Sequence, residues 1–132
     1  MRTGSFRKNK GQSIVEAALV LPVILLLLTG IIDFGLLFNN YLIVSNASRE
    51  GARAAAIGST DAQIRTVVNN DTSSLDPAKL TLTIAPNEST GRRSGDAVTV
   101  TVQYQYSMIT PVIAAIIPGP INLNTSTTMR CE

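Results

Sequence analysis

The sequence predicts an α+β fold. A long N-terminal helix, transmembrane in its first half, precedes a short helix and a small antiparallel three-stranded sheet. Three observations support this prediction: a long uncharged apolar run, a helix-capping pattern at Thr60, and alternating hydrophobic residues beyond residue 79. Because the chain has 132 residues, it has room for one modest hydrophobic core.

The first element is long and apolar enough to cross a membrane. A spanning helix needs about 20 mostly apolar residues, and residues 14–38 supply them, with Glu16, Pro22 and Asp33 as irregularities. The Ile, Val and Leu side chains up to Ile32 favour insertion by about 4–8 kcal/mol, which exceeds the roughly 3 kcal/mol cost of one central acidic residue. The rest of the chain is too small to cover such a helix in a soluble core. A signal peptide is disfavoured because the run is too long and no A-x-A-like site follows.

The charge distribution predicts the orientation. The first eleven residues hold four basic and no acidic side chains, which leaves seven basic against nine acidic side chains for the rest. Basic residues flanking a span favour the cytoplasmic side. We therefore predict a basic cytoplasmic leader (residues 1–11), a transmembrane helix (12–38), its extramembrane continuation (39–58) and a small exported α+β head (59–132).

The helix is predicted to continue beyond the span, because apolar and small residues recur at spacings of three and four and nothing breaks the pattern before Gly58. Ala47, Gly51 and Ala55 form a face of small residues. Such a face would allow a second helix or a sheet to approach closely. The alternative is that alanine is simply a good helix former.

The remaining elements follow from local patterns. Residues 60–63 have the form of a capping box, which predicts a short helix ending near Asp71. Period-two stripes predict strands at Leu80–Ile84, Val98–Tyr106 and, more weakly, Ile121–Cys131, with the buried face against the long helix. At least the first two strands should pair antiparallel. Cys131 lies on the apolar stripe, which favours a buried side chain, although an intermolecular disulfide is an alternative.

The apolar segment Met108–Ile117 is too short to be a second span. We interpret it as a crossover that covers one end of the sheet. The alternative is an apolar surface offered to a partner or to the membrane.

Several function classes are excluded or disfavoured by composition. With no His and one Cys, the sequence excludes His-based metal sites, Cys-X-X-Cys motifs and His-dependent catalytic triads. Basic residues form a short tail with only Phe6 among them, which disfavours nucleic-acid binding. The acidic residues of the head are scattered, without metal-ligand spacing or a nearby nucleophile and base: Asp61, Asp71, Asp76, Glu88 and Asp96. We therefore predict no enzyme activity, no metal site and no cofactor.

Three segments of the N-terminal half carry a family resemblance: Lys-Gly-Gln-Ser-Ile-Val-Glu at residues 10–16, Gly-Ile-Ile-Asp-Phe-Gly at 30–35, and Ala-Ser-Arg-Glu-Gly-Ala-Arg at 47–53. The sequence resembles the TadE-like family, which comprises small pilin-like membrane proteins of the tight-adherence (Tad/Flp) pilus and secretion systems. The Val-Thr-Val-Thr-Val strand and the C-terminal residues 128–132 are also similar to the family. The resemblance implies a pilin-like fold.

The resemblance also implies a processing site. Prepilin peptidases cut after a Gly that is followed five residues later by Glu, and Gly11 and Glu16 fit this spacing, with Gln12 as the new N-terminus. In pilin-like assemblies this Glu is thought to pair with the N-terminal ammonium of a neighbouring subunit. Two plainer interpretations stay open: Gly11 ends a flexible basic tail, and Glu16 keeps its carboxylate hydrated near the cytoplasmic face.

The function implied by the resemblance is that of a minor pilin or pseudopilin in the inner membrane or the pilus. Its implied partners are other pilin-like subunits, the prepilin peptidase, the Tad inner-membrane platform and the lipid bilayer. The first alternative is a membrane-resident pilus assembly factor with a retained N-terminal anchor. A more remote one is a membrane-anchored ligand-binding module or enzyme.

Overall fold

The computed structural model describes residues 8–132, with side chains from residue 11 onward, so most of the predicted leader lies outside the described residues. The predicted α+β fold is confirmed. The elements in chain order are α1 (Lys8–Ala56), α2 (Asp61–Asp71), β1 (Leu80–Ala85), β2 (Ala97–Tyr106), α3 (Pro111–Ile116) and β3 (Ile121–Arg130). Short 3-10 turns at Pro77–Lys79 and Glu88–Thr90 precede and follow β1.

Helix α1 runs without a break from the apolar segment into the head. It has 49 residues, so it is about 74 Å long at 1.5 Å per residue. It ends as predicted before Gly58, whose φ of 83° is the left-handed conformation that commonly follows the end of a helix. Because the helix is continuous, no structural boundary separates the predicted span from its predicted continuation.

Helix α2 begins with the predicted capping box. The Thr60 hydroxyl accepts from the Gln63 N–H at 3.3 Å, and the Gln63 side-chain oxygen accepts from the Thr60 N–H at 3.0 Å. Both hydrogen bonds satisfy backbone N–H groups that the start of a helix leaves without a partner. The buried face of α2, formed by Ile64 and Val68, packs on α1.

The sheet is antiparallel in the order β1-β2-β3, so β2 is the central strand. Leu80 pairs with Tyr104 across β1 and β2, and Tyr106 pairs with Ile121 across β2 and β3. Both sheet neighbours of β2 are therefore antiparallel to it. Alternate residues of β2 are buried against α1, as the period-two pattern predicts: Val98, Val100, Val102, Tyr104 and Tyr106.

The face of small residues on α1 forms one side of this core. Ala47 and Ala55 are fully buried, and Gly51 is buried between them. The close approach expected from these residues is confirmed, and its partners are α2 and the sheet of the same chain. Cys131 is buried as predicted, with its sulfur 4.0 Å from the carbonyl oxygen of Ala55.

Candidate functional site

The first half of α1 presents apolar side chains to its surroundings on every side. No residue between Gly11 and Ile32 is buried, and exposed fractions include 72% for Leu19 and 62% for Leu27. The helix is long and apolar enough to cross a membrane. An apolar surface of this extent requires lipid or other apolar helices around it.

The three residues of the predicted processing site lie at the start of this exposed surface. Gly11, Gln12 and Glu16 are exposed, and a Cβ built on Gly11 would meet no atom of the described residues within 4 Å. Five helical residues correspond to about 7.5 Å of rise and roughly 140° of rotation, so Gly11 and Glu16 face nearly opposite sides. Among residues 11–132, Glu16 has no ion-pair partner. The described chain therefore leaves all three accessible to other proteins.

The acidic residue at the other end of the apolar run has a structural partner. Asp33 is only 2% exposed. Its carboxylate oxygens accept from the backbone N–H groups of Ile109 and Thr110, at 3.4 and 3.1 Å. Asp33 thus ties the connection between β2 and β3 to α1. Sequence reasoning treated Asp33 as an irregularity of the span and missed this contact.

Tyr106 lies beside the same junction. Its hydroxyl donates to the Asp33 carbonyl oxygen at 3.5 Å, and its side chain is 5% exposed. Burial, and then the nearby Asp33 carboxylate, raises the pKa of Tyr106 above its usual value. The phenol therefore stays protonated at neutral pH and remains a donor to α1.

The connection between β2 and β3 extends beyond the sheet along the apolar half of α1. It contains α3, which the sequence did not predict as a separate helix. A Cβ on Gly30 would lie 3.6 Å from the Ile113 side chain. Next to this contact is a shallow apolar groove lined by Pro22, Leu25, Leu26, Thr29, Thr110, Pro111 and Val112. The segment therefore packs on α1 as well as following the end of the sheet.

A second apolar groove lies where α1 meets the edge strand β3. It is lined by Phe34, Leu37, Phe38, Tyr41 and Leu123. Phe34 and Phe38 are 68% and 54% exposed. The groove therefore leaves two large aromatic side chains exposed beside the edge strand.

Most of the scattered acidic residues of the head form local hydrogen bonds or an ion pair. Asp61 forms an ion pair with Arg92 and accepts from the Glu88 N–H at 3.0 Å. Asp76 and Asp96 accept from the backbone N–H groups of Ala78 and Arg93, each at 3.0 Å. Within the described residues, no three His, Cys, Asp or Glu side chains are grouped to hold a metal ion.

Comparison with known families bears on the segment that contains these sites. The model of the family described as TadE-like protein matches residues 11–53. This segment is TadE-like. The match associates the chain with the Tad pilus, and the TadE-like family is a family of pilus components.

The TadE-like match covers Gly11, Glu16, Asp33 and Gly51 but stops before α2. The similarity of the C-terminal strands to the family therefore stays a prediction. No curated protein and no solved structure matches the chain.

Proposed function

We propose that this TadE-like chain is a minor pilin or pseudopilin-like structural component of a Tad (Flp-type) pilus assembly and secretion system. One observation supports the proposal above others. The exposed apolar half of α1 continues without a break into the half that is packed in the head. The same helix can be covered by lipid before assembly and by the apolar helices of neighbouring pilin-like subunits afterwards.

The proposed location is the bacterial inner membrane, with a single span, a cytoplasmic N-terminus and an exported head. The basic residues at positions 2–10 support this orientation. On the other side of the apolar run, Arg49 and Arg53 are the nearest basic residues.

We further propose that a prepilin peptidase cleaves between Gly11 and Gln12. Gly11 lies in the first turns of α1, where backbone N–H groups lack helical partners and the helix end frays. A residue without a Cβ allows close approach of a protease backbone. Glu16 is exposed within an apolar surface, where a carboxylate is costly unless paired. The new ammonium group of Gln12 on a neighbouring subunit would provide that partner.

N-terminal sequencing of the protein from membrane fractions tests the cleavage. In cells with an active prepilin peptidase, we expect a chain that begins at Gln12. We expect Gly11→Ala to slow or abolish processing, because the added methyl group obstructs the protease. Gly35→Ala is the matched control, since Gly35 is also helical and exposed with no atom near its Cβ position. A wild-type chain that still begins near Met1 would contradict the proposed cleavage.

Pilus counts test the role of Glu16. We expect Glu16→Ala to reduce piliation in a deletion strain, whereas Glu50→Ala, another exposed acidic residue on α1, should restore it. Full rescue by both Glu16→Ala and Gly11→Ala would indicate a plain membrane anchor.

The second candidate is a membrane-resident pilus assembly factor with a retained anchor. The contact between the β2–β3 connection and the apolar half of α1 favours it, because this contact holds the head close to the membrane. Immunogold labelling of sheared pili distinguishes the two. A pilin is expected in the fibre, and an assembly factor is expected to remain with the membrane.

A further inference from the structure

We propose that the β2–β3 connection, residues 107–120, enters the outer half of the lipid bilayer beside α1 as a re-entrant apolar segment. The inference rests on one part of the proposed function, namely that α1 spans a membrane. It adds a second membrane contact, made by the head itself. The acyl chains of the lipid cover the exposed apolar surface of this connection.

The height of the connection along α1 is the first argument. A span of about 20 residues that begins at Ala17 ends near Leu36. Gly30, which faces Ile113, then lies about 9 Å inside the outer edge of the hydrocarbon core, at 1.5 Å per residue. Pro111 and Val112 line a groove together with Leu25, Leu26 and Thr29, which lie closer to the bilayer centre than Gly30.

The opposite arrangement fails on length. The connection shares a groove with α1 residues that include Leu25, Leu26 and Thr29. If the whole connection stayed outside the bilayer, the span would therefore have to end by Leu25. Even if the span began at Ile14, three residues before Ala17, the helix would rise only about 18 Å up to Leu25, whereas the hydrocarbon core is about 30 Å thick. A bilayer that covers α1 must therefore also reach α3.

The composition of the connection suits lipid. The sequence has no charged residue from Ser107 to Met129. Within the connection, large apolar side chains point away from the protein, with exposed fractions of 69% for Ile109, 49% for Val112 and 72% for Ile116. Val112 and Ile116 are four residues apart, so they share one face of α3.

Part of the backbone of the connection is satisfied without water. Lipid offers no partner to exposed N–H groups, each of which costs several kcal/mol when unpaired. Asp33 accepts the N–H groups of Ile109 and Thr110 where the chain enters α3. Pro111, Pro118 and Pro120 have no N–H group to satisfy. On this proposal, the role of the acidic Asp33 within the apolar run is to accept hydrogen bonds from two N–H groups that lipid could not satisfy.

Lipid is a better occupant than a second protein copy because the exposed face of α3 is continuous with the exposed surface of α1. Ile31 and Ile32, next to Gly30, are 68% and 61% exposed. A bilayer covers both surfaces at the same height, whereas a protein partner would need a groove that fits two helices at once.

Tryptophan quenching in vesicles tests the proposal. The chain has no Trp, so each introduced Trp reports on one position. The full-length chain is reconstituted in phosphatidylcholine and phosphatidylglycerol vesicles with brominated acyl chains. Ile116→Trp and Val112→Trp probe α3, and Leu28→Trp probes the span. Ser94→Trp is the control, because Ser94 is exposed just before β2, at the end of the sheet away from α3.

We expect the acyl bromines to quench Ile116→Trp and Val112→Trp nearly as strongly as Leu28→Trp, and several-fold more than Ser94→Trp. Quenching of both α3 variants at the level of Ser94→Trp, with Leu28→Trp quenched, would overturn the inference and leave the span intact. Protection of both from aqueous acrylamide without lipid quenching would assign the surface to a second protein copy and also overturn it. If Leu28→Trp is not quenched, the span and this inference both fail.

Discussion

Gly51 is the position where helix, helix and sheet come closest together. A Cβ placed there would be 2.8 Å from Cγ2 of Val68 on α2 and 3.1 Å from Cγ1 of Val100 on β2. Both neighbours are fully buried β-branched side chains, which have little freedom to move aside. Close packing of the head therefore depends on a residue without a side chain at this position.

We predict that Gly51→Ala destabilises the head by about 1–3 kcal/mol, because overpacking costs more than the gain in helix propensity. Denaturant unfolding of the full-length protein in detergent, followed by near-ultraviolet circular dichroism, measures the effect. Arg53→Ala, on the exposed side of the same helical turn, should change stability little. Equal stability of Gly51→Ala and wild type would mean that α2 shifts freely.

The contact between α1 and β3 includes a buried polar pair. The Ser48 hydroxyl donates to the Ser45 carbonyl oxygen at 2.9 Å and lies 2.9 Å from the Thr127 hydroxyl. Ser48 has one hydroxyl hydrogen, so Thr127 is the donor in the second bond. Ser48 is fully buried and Thr127 is half-buried, so both bonds are partly shielded from water, and the Ser48–Thr127 bond ties β3 to the helix.

We predict a coupling free energy of about 0.5–1.5 kcal/mol between Ser48 and Thr127 in a double-mutant cycle of Ser48→Ala and Thr127→Val. The control is Thr99→Val with Thr128→Val, a hydroxyl pair 2.8 Å apart on the exposed face of the same sheet. Water can replace the hydrogen bond between Thr99 and Thr128 when it is lost, so the coupling free energy of this exposed pair should be smaller. Equal coupling in the two cycles would show that burial adds nothing to the Ser48 pair.

Over the whole molecule, the sheet has one end near the apolar half of α1 and one end away from it. The Tyr106 end of β2 contacts Asp33, and the Ala97 end lies close to the C-terminus, where the Asp96 carbonyl accepts from the Cys131 N–H at 2.8 Å. The core of the head begins at Val44, beyond the predicted span. The β2–β3 connection, in contrast, depends on residues 30–33 of α1.

We predict that a fragment of residues 39–132 keeps its sheet but loses the packing of residues 107–117. The reason is that Asp33 and Gly30 are missing, whereas the helical face from Val44 to Ala55 is retained. Hydrogen exchange by mass spectrometry, in the same detergent, measures the change against a fragment of residues 29–132. Equal protection of residues 107–117 in the two fragments would show that the sheet alone holds the connection.

Local patterns in the sequence determined most of the secondary structure. The uncharged run fixes the apolar half of α1, Thr60 and Gln63 fix the start of α2, and the stripe from Val98 to Tyr106 fixes the central strand and its buried face. These signals are readable because the residues that form each of them lie within a few positions of one another. The predicted processing residues Gly11, Gln12 and Glu16 also come from spacing alone, and the described chain adds only their exposure.

The tertiary structure decided which surfaces meet. The sequence left open whether the small face at Gly51 serves a neighbouring helix or a sheet, and the fold uses it for both within one chain. No partner for Asp33 could be read from the sequence, because the carboxylate accepts a hydrogen bond from the N–H group of Thr110, which is 77 residues away. That contact exists only after the sheet docks on α1 and directs the β2–β3 connection along the helix. A hydrogen bond over this separation depends on the path of the whole head, which no short-range periodicity encodes.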